Sequence, residues 1–322
     1  VIVVAPATGV DPRLLRMTFP AYRHLLELRP ARRTLGDPSD PLTRPVAIVA
    51  YDGDEPVGLA LLDLPLDAEE TPQLLSLYVV PEHRRRGIGT RLVGAAEEAA
   101  REHPSGRLRA VWSRGMAGAP AVEAILRRRG WPDAVGRSLL VRLTVAEAAR
   151  LPWLDRVHPR PGCEVVPWCE LAPPELEELR RSDAAEEWIA PDLRPWRYTE
   201  VPYHEASSVA LRTPEGVRGW VINHEVRPGW VRFSCSFIHK RLGRRAQILP
   251  LYASSIRRLI EGGAERITFN APAWHPSMVR FVERRIAPWA GTAAWTVEST
   301  LRIPDAGRAR AAGGGAPGRR SA

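Results

Sequence analysis

Shifted forward by 156 positions, the later elements of the N-terminal half of this chain fall on its C-terminal half without a gap. Arg84 lands on Lys240, Gly87 on Gly243, and Arg128-Arg129 on Arg284-Arg285. Few residues coincide. What repeats is the order in which strand and helix signals arrive, and a period of this length is a whole domain rather than a solenoid unit. A chain of 322 residues has room for two domains, each with a core of its own. The class is α/β.

In the first half a short strand at Val1 to Ala5 precedes a helix start at Asp11-Pro12. Leu14, Leu15, Tyr22, Leu25, Leu26 and Leu28 give an irregular helical pattern, broken near Pro20 and ended by Pro30. "PVAIVAYDGDEPVGLALLDL" reads as two strands joined by a turn at Asp52-Gly53-Asp54. The strand "LLSLYVV" follows. Ile88, Leu92, Val93, Ala96 and Ala100 then recur at helical spacing, so an amphipathic helix runs from Gly87 to near His103-Pro104. Strand "RLRAVWS", helix "APAVEAILRRRG" and strand "SLLVRLTV" complete the half. The same order returns after a stretch at 150–161 with three prolines and no period, which reads as a linker. The expected organisation is a first domain at 1–149, this linker, a second domain at 162–304, and a disordered tail at 305–322 rich in Gly, Ala and Arg.

"VVPEHRRRGIGTRL", residues 79–92, joins a strand to a helix through three arginines and two glycines. A helix start leaves N–H groups without partners, and with the helix dipole they attract an anion. Gly87 and Gly89 remove Cβ atoms that would hold a bulky phosphate away, and Arg84, Arg85 and Arg86 add charge. There is no G-K-[ST] for a nucleotide-hydrolysing P-loop, and no GxGxxG in a βαβ unit for a dinucleotide. Val79-x-Pro81 followed by Arg84-x-x-Gly87-x-Gly89 at a helix head, with Gly130-Trp131 downstream, resembles the acyl-CoA signature of the GNAT N-acetyltransferase superfamily. The resemblance covers residues 1 to 145. It implies two tandem GNAT-like folds, the second degenerate, each a mixed and mostly antiparallel central sheet flanked by helices. It also implies that main-chain groups of Leu77, Tyr78 and Val79 pair with the pantetheine arm. The stretch Arg84, Arg85, Arg86, Gly87, Ile88, Gly89 and Thr90 would wrap the pyrophosphate.

The implied activity is acyl transfer, with acetyl-CoA or another acyl-CoA as co-substrate and an amine of a small metabolite as acceptor. Proton management in the family commonly falls to a Glu and a Tyr. Here the Tyr position holds Leu126, an Asn position holds Ala119, and the strand position favoured by Glu holds Gln73. Asp63, Glu69 and Glu70 stand as weak candidates for the base, with the solvated-loop reading of each more usual. The alternative is a protein that binds or senses acyl-CoA without turnover. In the second half Phe237 replaces the proline and Arg245 the second small residue, so that copy is expected to bind no CoA. Trp220 and Trp230 are expected in the core. His204, His224 and His275 are expected to be ordinary rather than metal ligands, and His83 solvated; no metal site is expected.

The net charge of +9 rests on 45 arginines and one lysine, Lys240. That bias reflects a GC-rich bacterial genome more than a binding surface, and the reading expects no specific nucleic-acid partner. Cys163, Cys169 and Cys235 show neither metal spacing nor an even count for disulfides, which fits a reducing, cytoplasmic setting. No run of apolar residues reaches the length of a membrane span.

Overall fold

The computed structural model describes residues 1–9, 11–33, 42–243 and 248–304. Contacts divide the chain into two compact units, Val1–Gly136 with Thr296–Ala322, and Arg137–Trp295. The tail expected at 305–322 and the position of Arg245 lie outside the described residues.

Unit 1 is built on strands β1 (Ile2–Pro6), β2 (Ala31–Arg32), β3 (Leu42–Asp52), β4 (Glu55–Pro65), β5 (Gln73–Val79) and β6 (Arg107–Ser113). β1, β3, β4 and β5 pair antiparallel in that order, with β2 a short addition to β3. β4 is buried along nearly its whole length, which is why the run from Val57 to Leu62 is continuously apolar rather than alternating. β5 and β6 are parallel and are joined by the crossover helix α1 (Ile88–Ala100). α1 buries Ile88, Leu92, Val93, Ala96 and Ala100, the stripe its sequence period prescribes. Helix α2 (Ala119–Arg128) follows β6. On another face Leu14, Met17, Leu25 and Leu26 pack with Ala47, Val49, Leu59, Leu61 and Leu75.

The segment expected to be one broken helix is two 3-10 helices, Pro12–Arg16 and Pro20–Glu27. Each has a proline in its first turn, and Asp11 caps the first by accepting from the Arg13 N–H at 2.9 Å.

Unit 2 repeats the scheme. Its strands are β7 (Val135–Thr144), β8 (Glu164–Pro167), β9 (Val209–Thr213), β10 (Gly216–Arg227), β11 (Trp230–Ile238) and β12 (Arg266–Pro272). Antiparallel pairing runs from β8 through β9 and β10 to β11, and β11 lies parallel to β12. The helices are α3 (Val145–Ala148), α4 (Pro173–Glu186), α5 (Trp196–Thr199), α6 (Lys240–Gly243), α7 (Ile248–Glu261) and α8 (Pro276–Arg285). Leu151, Trp153 and Leu154, in the stretch expected to be a linker, are buried in the core of this unit, and the Trp153 indole donates to the Arg285 carbonyl at 3.1 Å.

The last strand of each sheet comes from the other half of the chain. β13 (Thr292–Arg302) runs antiparallel to β6, from Thr296 opposite Ser113 to Arg302 opposite Arg107. It buries Val297, Ser299 and the following Ile303. β7, which precedes the expected boundary at 149, runs antiparallel to β12 over Ser138 to Thr144. The expected domains at 1–149 and 162–304 therefore differ from the units by an exchange of equivalent strands.

Trp220 is fully buried, as expected, and stacks on Phe237 with ring centroids 4.7 Å apart. Trp230 is not a core residue. It is partly exposed, with the guanidinium groups of Arg227 and Arg266 over its ring at 3.2 and 4.6 Å from the centroid.

Candidate active site

β5 and β6 are paired only at Gln73 with Arg109 and Leu74 with Ala110. Beyond that point the strands part, and among the described residues no strand pairs with the β6-facing edge of β5 from Leu75 to Val79. A bulge at the same place, where Ser76 and Leu74 oppose successive residues of β4, sharpens the bend. The fork opens into a cavity of about 1010 Å³. Its walls are Ser76 to Val79 of β5, the turn at His83 to Thr90, the Met116–Gly118 segment with the inner face of α2, and Arg16 to Phe19.

The turn is shaped by its backbone. Arg85 and Gly87 both have left-handed φ, 63° and 77°. A left-handed residue before the helix suits glycine at 87, and the strain falls on Arg85. The first intrahelical bond of the head of α1 is from the Arg91 N–H to the Gly87 carbonyl at 3.1 Å. The N–H groups of Ile88, Gly89 and Thr90 precede it and have no place in the helical ladder. Gly89 serves a different purpose from the one expected. It is buried, and a Cβ there would come within 2.8 Å of Ile125 Cδ1, so its small size lets α1 and α2 approach. The Arg84 side chain donates to the Val79 carbonyl at 3.0 Å. His83, expected to be solvated, lines the cavity with Nε2 3.2 Å from Asp52 Oδ2, and this hydrogen bond holds the Asp52 carboxyl below the ordinary range.

Of the sequence candidates, Leu77, Tyr78, Val79, Arg84, Arg85, Gly87, Ile88, Gly89 and Thr90 come together on this cavity. Arg86 is exposed in the same turn without lining it. The three candidate bases are not brought there. Asp63 is fully buried in β4, paired with Arg33 and accepting the Gln73 N–H at 2.8 Å. Burial pushes its carboxyl up, while Arg33, the Gln73 N–H and Arg109 pull it down. Glu69 and Glu70 are exposed in the loop before β5. Leu126 is buried, and Trp131 of the Gly-Trp pair donates its indole N–H to Glu97 at 2.8 Å, a structural bond tying the end of α2 to α1.

Two side chains that sequence reasoning missed also line the cavity. Thr18 Oγ1 and Ser76 Oγ lie 2.6 Å apart, and the residues are 9% and 5% exposed. They are distant in the chain, and single hydroxyl residues carry no pattern, so only the folded backbone could reveal them.

The family model described as the acetyltransferase (GNAT) family matches residues 13–131. This stretch is a GNAT domain. No curated protein matches the chain by sequence. Among solved structures, a tandem GNAT protein from the clavulanic acid biosynthesis pathway is 17% identical with a TM-score of 0.53, covering 94% of this chain and 99% of that one. A GCN5-related glucosamine N-acetyltransferase region of a fungal multi-domain GH3 β-N-acetylglucosaminidase is 15% identical with a TM-score of 0.54, covering 93% of this chain but only 38% of that one. At such identities the likeness is one of fold, and the fold is that of a tandem GNAT protein. The match to the family model and the forked strands of the GNAT domain concern the same residues.

In unit 2 the corresponding strands behave alike: among the described residues β11 and β12 pair only from Trp230 with Arg266 to Phe233 with Phe269, while β11 stays paired with β10 to Ile238. Aromatic rings crowd that region. Phe233 stacks on Phe269 at 4.3 Å, and Tyr252 of α7 stacks on Phe281 of α8 at 5.0 Å. The histidines are satisfied locally: His204 by Ser207, His224 by Ser234 and the Tyr198 carbonyl, and His275 by Asp192 at 2.6 Å. Among the described residues no cluster of three or more His, Cys, Asp or Glu is placed to hold a metal ion, and no helix is long and apolar enough to cross a membrane.

Proposed function

We propose that the GNAT domain of unit 1 binds an acyl-CoA, acetyl-CoA being the simplest, and passes its acyl group to an amine of a small metabolite. The observation that carries this reading is the unpaired edge of β5, which leads from the fork directly into an amide-lined turn. An extended pantetheine arm lies along Leu77 to Val79 as an extra strand, hydrogen-bonding main chain alone. The diphosphate rests on the free N–H groups at the head of α1, with Arg84, Arg85 and Arg86 supplying charge. The thioester then reaches the fork, where the amine nitrogen attacks its carbonyl carbon and the thiolate departs.

Among the described residues no carboxylate side chain lines the cavity, so the acceptor loses its proton to another group or arrives uncharged. The same absence favours the second reading, an acyl-CoA-binding protein without turnover. Mixing the protein with acetyl-CoA and a panel of amines distinguishes the two. Release of free thiol supports transfer, whereas retained binding with no thiol released for any amine supports the binding role. Unit 2 is proposed to bind no CoA, because the rings of Phe233, Tyr252, Phe269 and Phe281 fill the region beside its fork. Its role is to stabilise the protein or to help hold the acceptor. The unpaired thiols suit a reducing, cytoplasmic compartment.

A further inference from the structure

Resting on the acyl-CoA reading, we infer that the Thr18–Ser76 hydroxyl pair donates a hydrogen bond to the sulfur of CoA as the acyl group leaves. Each hydroxyl has one proton and two lone pairs. Between two oxygens 2.6 Å apart only one proton can lie on the shared line. The second O–H has no other partner among the described residues, and both residues line the cavity. A nearly buried pair with one donor left over is built to meet something that enters.

Position says what that is. Ser76 is the second residue past the fork, on the bulged part of β5. At about 3.3 Å per residue, the main chain from Val80 back to Ser76 spans roughly 13 Å. An extended pantetheine arm whose phosphate end sits on the turn after Val80 runs back along this edge, so its sulfur end lies toward Ser76. Of the other lining residues, Met17 and Phe19, beside Thr18 in the chain, are apolar, and Arg16 precedes them.

The step balances without a further reactant. The acceptor nitrogen forms its bond to the carbonyl carbon, the C–S bond breaks, and its electron pair goes to sulfur. The free hydroxyl gives its proton to sulfur while its partner receives the one shed by nitrogen, and the shared proton shifts between them. The products are the amide and CoA thiol, and neither hydroxyl is left charged.

The test uses the full chain with CoA itself, following ionisation of the bound thiol by thiolate ultraviolet absorbance. A donor to the thiolate lowers the thiol pKa, so replacing both hydroxyls, Thr18→Val with Ser76→Ala, raises it by about one unit. Thr18→Ser alone restores a hydroxyl and keeps the wild-type value, which a packing role for the threonine methyl would not do. CoA affinity by calorimetry stays within about twofold in every variant, and with any amine that turns over, kcat falls about tenfold or more at unchanged KM for acetyl-CoA. An identical thiol titration in wild type and double variant, both with CoA bound, overturns the inference while leaving the acyl-CoA reading intact. Failure of the wild-type protein to bind CoA overturns that reading and this inference with it.

Discussion

Replacing Thr90 with glutamate puts a negative charge where the diphosphate is proposed to lie, while leaving the backbone of the turn alone. Gly87 is the less informative position, because its φ of 77° makes any side chain there a source of strain unrelated to binding. Thr90 lies in the first turn of α1 and lines the cavity. At about 5 Å and an effective dielectric near 20, a carboxylate repels each phosphate charge by about 3 kcal/mol. Half of that for each of two charges, after screening at the cavity mouth, weakens binding roughly 100-fold. The assay is thermal unfolding with acetyl-CoA at 100 times the wild-type Kd, where binding stabilises the wild type by about 2.7 kcal/mol. For a unit of this size that is a rise of roughly 5–11 °C. The variant at the same concentration retains about 0.4 kcal/mol, a rise of only about 1–2 °C. Without ligand the variant is as stable as the wild type or slightly more so, because an acidic residue in the first turn complements the helix dipole. Equal stabilisation of the two proteins by acetyl-CoA refutes the placement of the diphosphate on these amides.

Three further outcomes follow from other parts of the structure. Cys235 is buried among apolar neighbours and its thiol is pushed up to about 12, so maleimide modifies the exposed Cys169 in the native protein and reaches Cys235 only after unfolding, as mass spectrometry will show. Glu97→Ala strands the buried Trp131 indole N–H and lowers the stability of unit 1 by about 2–3 kcal/mol in urea titrations, with Glu97→Gln costing less because an acceptor remains. The Arg212 guanidinium and the Ala172 N–H hold the Glu175 carboxyl below its ordinary range. Its contribution, about 1 kcal/mol or less for so exposed a pair, is present above the unfolded pKa and lost as pH falls through the lower folded value. Wild type therefore exceeds Glu175→Gln in stability at neutral pH, and the two converge in acid.

The features legible in the sequence are those set by short-range chemistry. The strand, turn and helix from Gln73 to Ala100 follow from an apolar run, a left-handed glycine and a helical stripe, all local. The 3-10 helices were hidden because leucine spacing alone does not separate them from an α-helix; the prolines at 12 and 20 fit the first turn of either. At Asp63 the charge suggested a loop, yet its partner Arg33 is distant in sequence and the pair is buried together. The fork between β5 and β6 depends on where two strands stop pairing, which neither strand encodes by itself. Thr18 and Ser76 meet only because the turn between the 3-10 helices reaches the bulge of β5. The exchanged strands were the least readable, since β7 and β13 are equivalent elements and either would satisfy the pattern of either sheet.

That exchange has a consequence for how the protein is made. Synthesis proceeds from the N-terminus, so the β6 edge that receives Thr296 to Arg302 emerges long before its partner does. Throughout translation of residues 137–295 the nascent unit exposes a row of unmatched amides and carbonyls, the kind of edge that recruits foreign strands. The final closure brings together segments nearly two hundred positions apart, a long-range pairing of the sort that slows folding. A chain cut short before Thr296 has a first unit that lacks one strand of its sheet.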